Sequence, residues 1–450
     1  MRKINKEEPL LLLSGDILSF VCSLAFMLVI RYGELPSEEL FWGHLIPFSL
    51  IFLASLLVFF ISGLYEKQTL LFKSHLLQTI INAQVANSIL AVLLFYFVPV
   101  FGIAPKTNLF LYLVFSSSCI LLWRLLGTKL FVQKRKESAL LIGSGKEMQE
   151  LLKEVNENPR YGMQFVEVVD LSLFNTLNPE IISGHIEKEN ISFIAVDLGD
   201  KKVEVILPHL YNLIFMKRRF VDLHLLYEEI FDKIPLSLVK YEWILENISL
   251  VPKFGYDFFK RLMDMLISIP LLVVPVLTYP FAFIAVTLED GGPIFISQER
   301  VGQNNKTVKI KKFRSMTRND DGEYGKTGSS KLEVTKVGAF LRKTRLDEFP
   351  QLWNVLKGDL SLIGPRPELP SLVSLYEKEI PYYPVRHLIK PGLSGWAQIY
   401  HKEHPHHKEA VTETSEKLSY DLYYLKNRSI LLDLKISLRT LKTLLSRSGI

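Results

Sequence analysis

The sequence predicts three parts in order. These are an α-helical membrane domain of four spans over residues 1–137, an α/β unit over 138–252, and a mixed, mainly α domain over 253–450 with a hairpin, 261–288, that enters and leaves the bilayer on one side. Three observations predict it. Five apolar runs of 18 to 24 residues interrupt an otherwise charged chain of 450 residues, a strand, glycine turn and helix begin where the fourth run ends, and the fifth run is broken by prolines and followed by cations. With 48% hydrophobic residues and a mean hydropathy of +0.20, the chain is too apolar for an ordinary soluble protein and too charged for a compact membrane bundle.

The first four runs are Leu10–Ile30, Leu45–Leu64, Ala83–Ile103 and Leu109–Leu126. Each is long enough to cross a hydrocarbon core that takes roughly 20 helical residues. No small-residue cleavage site follows the first, so it reads as a span and not as a leader. Arg2, Lys3, Lys6, Lys67, Lys73, Lys129, Lys134, Arg135 and Lys136 flank one side, while the first loop carries Glu34, Glu38 and Glu39. The cationic side is cytoplasmic by the positive-inside rule. Inside the runs, Asp16 is expected to hydrogen-bond between helices and Arg124 to snorkel to the interface, with a proton-relay role for Asp16 as the alternative. A net charge of +6 does not call for nucleic acid, and Cys22 and Cys119, both in apolar runs, supply neither a disulfide framework nor a zinc site.

In the middle, Ala139–Ile142 reads as a strand, Gly143-Ser144-Gly145 as a turn and Met148–Val155 as a helix, with Phe193–Asp197 a second buried strand. This is a Rossmann-like pattern. Met148 stands where the third glycine of a dinucleotide fingerprint would be, so a structural or regulatory module is preferred to a cofactor site.

The fifth run, Met265–Leu288, holds Pro270, Pro275 and Pro280, and each proline removes a backbone donor and favours a broken helix. Seven cations follow it with no acid among them: Arg300, Lys306, Lys309, Lys311, Lys312, Arg314 and Arg318. Crossing would export that block against the positive-inside bias, so the run should enter and return. The cations are either a solvated face or, since Lys309 and Lys311 alternate with Val308 and Ile310, a basic strand suited to phosphates. Asp347-Glu348 follows Arg342, Lys343 and Arg345. One of these acids can act as a nucleophile while the other places a metal or a hydrogen bond; the plain alternative is a salt-bridged helix turn. Gly364-Pro365-Arg366-Pro367-Glu368 is either a rigid loop aiming Arg366 or an ordinary turn.

From Lys260 to about Leu445 the chain resembles the bacterial sugar transferase family, the polyprenyl-phosphate hexose-1-phosphate transferases. The runs that carry the likeness include Gly292-Pro293-Ile294-Phe295, Gln298-Glu299-Arg300-Val301-Gly302, Lys312-Phe313-Arg314-Ser315-Met316, Leu346–Asn354, Gly364–Glu368, Lys390–Gln398 and Tyr420–Tyr424. The preceding spans and α/β segment resemble the long form of the family. The resemblance implies a phosphoglycosyl transferase at the cytoplasmic face of a bacterial inner membrane. It would move a hexose 1-phosphate, glucose or galactose, from a UDP-sugar to undecaprenyl phosphate and release UMP, the first membrane step of exopolysaccharide, capsule or O-antigen synthesis. It further implies Asp347 as nucleophile, Glu348 as its acidic partner, and a phosphate-binding set of Arg300, Lys312, Arg314, Pro365, Arg366 and Pro367. Mg2+ would be held by Asp347 and the donor phosphates. Expected partners are UDP-sugar, undecaprenyl phosphate, membrane lipid and a second copy of the chain as a homodimer, without nucleic acid.

The chain departs from the family in three places. The usual Ser-Pro break would fall near Val276-Leu277, which Pro275 and Pro280 bracket; Gly322–Val334 is glycine-rich and polar; and His401–His407 carries four histidines where relatives have a Gly-Arg-Asn-like turn. That loop reads as a solvated or sugar- or nucleotide-contacting segment, with metal binding as the alternative. The run Gly395-Trp396-Ala397-Gln398 looks more like glucose than galactose members. Leu431, Leu434, Leu438, Leu441 and Leu445 share a helical face, read as an interfacial helix or as packing. The rival enzyme, a membrane-anchored nucleotide-sugar dehydratase or epimerase, needs a Tyr-x-x-x-Lys pair, for which only Tyr256 and Lys260 offer themselves; a non-enzymatic nucleotide sensor would leave Asp347 idle.

Overall fold

A computed structural model describes residues 7–65, 73–97, 105–131, 136–158, 161–173, 191–215, 218–248, 253–317, 334–400 and 411–446. Arg318, nearly all of the Gly322–Val334 run and the His401–His407 loop lie outside the described residues. The chain divides into two compact units, Met1–Leu223 and His224–Ile450.

The first unit opens with four apolar helices, α1 (Glu7–Tyr32), α2 (Glu38–Ile61), α3 (Lys73–Phe97) and α4 (Pro105–Phe131). Each contains a stretch long and apolar enough to cross a membrane. The second starts earlier than its apolar run because Ser37 caps it, with the Leu40 amide donating to Ser37 Oγ at 3.3 Å. Aromatic rings fill the bundle: Phe48 meets Tyr112 edge-on at 5.0 Å, and Phe20 stacks on Phe52 at 5.6 Å. Asp16 makes the interhelical bonds expected of it, accepting from Tyr65 Oη at 2.7 Å and from Arg124 Nε at 3.1 Å. Arg124, expected to snorkel, turns inward instead. It is fully buried, pairs with Asp16 and donates to the Leu64 carbonyl at 2.8 Å. A paired charge with its remaining donors satisfied can stay inside, and Asp16 supplies that pairing one helix away.

Four parallel strands follow in the order β2-β1-β3-β4, where β1 is Glu137–Gly143, β2 Met163–Asp170, β3 Phe193–Val196 and β4 Arg219–Asp222. The two strands read from the sequence are β1 and β3. Both are apolar nearly throughout because a parallel sheet is covered on both faces. Helix α5 (Gly145–Glu157) buries Met148, Leu151 and Val155, and α6 (Leu207–Ile214) adds Leu210 to the core around Ile142 and Ile194. Met148, in the place of the missing glycine, packs its thioether beside Gly143.

In the second unit, Ile234 and Val239 join the core before the fifth apolar segment. That segment is two helices, α7 (Phe254–Leu271) and α8 (Val273–Asp290), broken at Leu272. The break precedes Val276-Leu277 because the Pro275 ring clashes with the carbonyl four residues back, at Leu271. A straight helix of the 36 residues Phe254–Glu289 would separate its ends by about 54 Å. Here both outer ends are held by the same unit. Arg261 donates to the carbonyls of Val355 (2.7 Å) and Leu356 (2.6 Å), and Asp264 accepts from the Leu362 amide at 3.0 Å. At the far end Ala282 packs with Phe313 and Leu341, and Glu289 accepts from the amides of Lys336 (2.6 Å) and Val337 (3.2 Å). Between these anchors Leu266, Ile269, Val276, Leu277, Phe281 and Ile284 are exposed.

The remaining frame is an antiparallel hairpin of β5 (Phe295–Val301) and β6 (Thr307–Phe313), helices α9 (Lys336–Lys343) and α10 (Leu352–Lys357), and a parallel pair of β7 (Ser361–Ile363) and β8 (Gly392–Ser394). Helix α11 (Pro370–Glu379) lies between β7 and β8 in sequence, and α12 (Val411–Asn427) and α13 (Ile430–Ser446) close the chain. On α13, Asp433 and Ile436 are buried while Leu431, Leu434 and Leu441 are exposed, so the helix packs on one side and keeps an apolar stripe on the other.

Candidate active site

Strand period decides which cations reach the site. On β6, Val308, Ile310 and Lys312 share the inner face, whereas Lys309 and Lys311 point out and are exposed. On the neighbouring strand Gln298 and Arg300 occupy the matching face. Buried Gln298 fixes Arg300, its Oε1 accepting from Nε at 3.1 Å and from Nη2 at 2.6 Å. Asn354 clamps β6 from α10, donating to the Lys309 carbonyl at 2.8 Å and accepting from the Lys311 amide at 3.3 Å.

The acidic pair lies on a 3-10 turn, Leu346–Gln351, and not on a regular α-helix. Arg345 just before it adopts φ +55°, a left-handed conformation that costs a non-glycine residue of order 1 kcal/mol. That reversal ends α9 and swings Asp347 and Glu348 toward β6. The Gly-Pro-Arg-Pro loop arrives from β7. Its backbone is seated by the Gly364 amide donating to Ser394 O at 2.8 Å and the Gly392 amide donating to Pro365 O at 2.9 Å. A side chain on Gly392 would place its Cβ 2.1 Å from the Gly364 nitrogen, so glycine is needed for the crossing.

The result is a cavity lined by Arg300, Ile310, Lys312, Glu348, Gln351, Arg366, Pro367, Gly392 and Leu393. Arg366 Nη2 lies 2.9 Å from Glu348 Oε1. Burial alone would raise the Glu348 carboxyl, but Arg366, Lys312 and Arg345 outweigh it and hold it at about 2. Asp347 behaves oppositely: burial and the neighbouring Glu348 charge push it up to about 6, against the pull of Lys312 and Arg342. Burial also brings the Lys312 ammonium down to about 8, with Glu348 opposing.

Of the residues predicted from sequence, Arg300, Lys312, Glu348, Arg366 and Pro367 line one cavity, and Asp347 adjoins them on the same turn. Two stand apart from the lining. Arg314 is 4% exposed with its guanidinium packed against Gly292, and Pro365 serves through its carbonyl. Two residues of the site are given no role in the sequence reading, and a third is named there only as one of the cations before the acid pair. Gln351 lines the cavity four positions after Asp347, Gln298 orients Arg300, and Arg342 bonds Ser315 Oγ at 3.0 Å while acting on Asp347. The first two are neutral amides, which charge-based reading passes over. Tyr256 and Lys260, the pair a dehydratase would need, are instead tied to buried Asp433 at 2.9 and 3.0 Å. Trp396 is 1% exposed, donates to the Asp232 carbonyl at 2.9 Å and stacks on Tyr423, so its indole is part of the packed interior.

Apolar helices joined to an acid pair ringed by cations put the chain among membrane-associated transferases. It belongs to the bacterial sugar transferase family, whose pattern its residues 255–447 match. An uncharacterized sugar transferase of Bacillus subtilis is 40% identical over 192 residues, which cover 42% of this chain and 89% of that protein. A UDP-N-acetylgalactosamine-undecaprenyl-phosphate N-acetylgalactosaminephosphotransferase of Aeromonas hydrophila is 42% identical over 219 residues, 47% of this chain and 50% of that one. A UDP-glucose:undecaprenyl-phosphate glucose-1-phosphate transferase of Klebsiella pneumoniae is 42% identical over 186 residues, 40% of this chain and 38% of that one. The match thus spans half the Aeromonas protein and less of the Klebsiella one.

Proposed function

We propose that the chain moves a sugar 1-phosphate from a UDP-sugar to undecaprenyl phosphate, releasing UMP, through an aspartyl-phosphosugar on Asp347. The observation that carries this reading is the division of the acid pair: Arg366 engages Glu348, and Asp347 is left as a half-buried carboxylate of raised pKa beside Lys312. In the first step an Asp347 oxygen attacks the sugar-linked phosphorus and the bond to the UMP oxygen breaks. UMP leaves with the electron pair. In the second step an oxygen of the lipid phosphate attacks the same phosphorus, the aspartyl bond breaks and the carboxylate returns. Both steps pass through phosphorus bearing extra negative charge, which Lys312, Arg300 and Arg366 can stabilise from fixed positions.

Mg2+ fits this donor set. Among the described residues no cluster of three or more His, Cys, Asp or Glu could cage an ion. Mg2+ commonly takes one or two carboxylates and completes its shell with water and substrate phosphates, so Asp347 and the diphosphate suffice. Bound there, it would offset diphosphate charge.

The site would work at the cytoplasmic face of a bacterial inner membrane, in the first membrane step of exopolysaccharide, capsule or O-antigen assembly. The exposed apolar bend of α7 and α8, anchored at both ends by one unit, supports a hairpin that dips into the leaflet and returns. Two relatives of equal identity are named for different sugars, so identity does not select the donor, and UDP-glucose, UDP-galactose and UDP-N-acetylgalactosamine are the donors to compare. The test is UMP release from each of them with undecaprenyl phosphate, with mass-spectrometric trapping of phosphosugar on Asp347. Asp347→Asn should abolish both signals; full activity in that variant would overturn the reading.

A further inference from the structure

We infer that Arg386 is a positioning residue for this transfer, holding the aim of Arg366 through the backbone of the Pro365–Pro367 loop. The inference rests on the function proposed above. Arg386 is 4% exposed on the turn Tyr383–Leu388, and its fork serves three partners at once. Nη2 donates to the Arg366 carbonyl at 3.0 Å and lies 2.9 Å from Asp421 Oδ2, while Nη1 donates to Tyr383 Oη at 2.6 Å. Asp421 is itself 1% exposed on α12. The loop is therefore clamped on both sides of the Cα of Arg366: the Pro365 carbonyl is taken by the Gly392 amide, and the carbonyl of Arg366 by Arg386. The prolines on either side fix their own φ, and Pro367 also disfavours the helical region for Arg366. What stays adjustable is the Arg366 side chain, which meets Glu348.

A buried arginine paired with one aspartate is not by itself a stabilising device, because desolvation offsets much of the attraction. Its geometry here does something an apolar pair could not, since it reaches a carbonyl of the residue that faces the acids. Lysine in its place would keep the charge beside Asp421 but lacks the planar fork needed for all three partners.

The experiment is a double-mutant cycle on the full chain in membranes, reading UMP release for the native protein, Arg386→Lys, Arg366→Ala and the double variant. Misplacing a charge-stabilising group by about an ångström can cost up to about a hundredfold, and Arg386→Lys is expected to lose at least about tenfold in kcat/KM. If Arg386 acts through Arg366, the double variant is no slower than Arg366→Ala. Losses that multiply, or an undiminished Arg386→Lys, would overturn the inference. Hydrogen exchange on the same proteins adds a measurement that needs no activity. Arg386→Lys should speed exchange at the amides of Gly364 and Gly392 and leave α10 protected, whereas loss of protection throughout the unit would make Arg386 a folding residue and sink the idea. A native protein that releases no UMP refutes the proposed function alone, and the exchange pattern still decides for or against Arg386.

Discussion

The Arg366 guanidinium pairs with Glu348, Nη2 to Oε1 at 2.9 Å, although Asp347 is the adjacent residue on the same turn. One salt bridge thereby gives two neighbouring carboxyls different work. Glu348 stays ionised far below neutrality and anchors the arginine, while Asp347 titrates at about 6.

Activity should follow a bell-shaped pH profile. On the acid side it falls as pH drops through about 6 and Asp347 takes a proton; on the alkaline side it falls above about 8 as Lys312 loses its charge. Stability moves the other way for Asp347. Its raised pKa contributes stability that is fully present below the ordinary value of 3.8 and is lost as pH rises through about 6. Glu348 has the opposite sign, its contribution being present above 4.5 and lost as pH falls toward about 2. Initial rates of UMP release between pH 5 and 9 check the profile.

Replacing Glu348 with Gln removes the neighbouring charge that ranks next to burial in raising Asp347. It also frees Arg366 and Lys312 to act on Asp347. The acid limb of the profile should therefore move to lower pH, together with a loss in rate from a less firmly held Arg366. An acid limb that stays put or moves up would contradict this division of roles between the two acids.

Gly392→Ala should damage the fold of the second unit. The added carbon would meet the Gly364 nitrogen at 2.1 Å and the Ile363 carbonyl carbon at 2.6 Å, backbone atoms that cannot swing aside as a side chain could. A cost of about 3 kcal/mol, at the upper end of ordinary overpacking, is expected as a lower melting temperature in detergent and faster proteolysis.

In the helical bundle, Asp16→Leu alone should cost about 3 to 5 kcal/mol, because it strands Arg124 in a fully buried place. Changing Arg124 to Leu as well should recover most of the loss. Thermal unfolding of the two variants compares them directly.

Much of this arrangement is legible in the residues. Apolar run length marks the helices of the bundle, since nothing but hydrophobic continuity is needed to cross a bilayer. Period-2 alternation at Val308, Ile310 and Lys312 is already the reason Lys312 faces inward and Lys309 outward. Pro275 likewise announces the break between α7 and α8, whereas Pro270 and Pro280 are accommodated inside their helices. Charge type is less informative. Arg314 and Arg300 stand in the same cation block, yet one is buried against Gly292 and the other faces the cavity, because Arg300 keeps the alternation of its strand, on the face of Ile310 and Lys312, while Arg314 lies just past the end of β6.

The sequence by itself determined the apolar helices, the α/β pattern, the family and the Asp-Glu pair with its surrounding cations. Those follow from local composition and from order along one chain. Only the tertiary structure decided that Arg366 takes Glu348 and leaves Asp347, that Arg124 turns in to Asp16, and that Arg386 reaches back to the Arg366 carbonyl. Each of these is a meeting of residues 18 to 108 positions apart. Electrostatic and hydrogen-bond energies depend on distances of a few ångströms and on burial, and neither exists until the chain has folded.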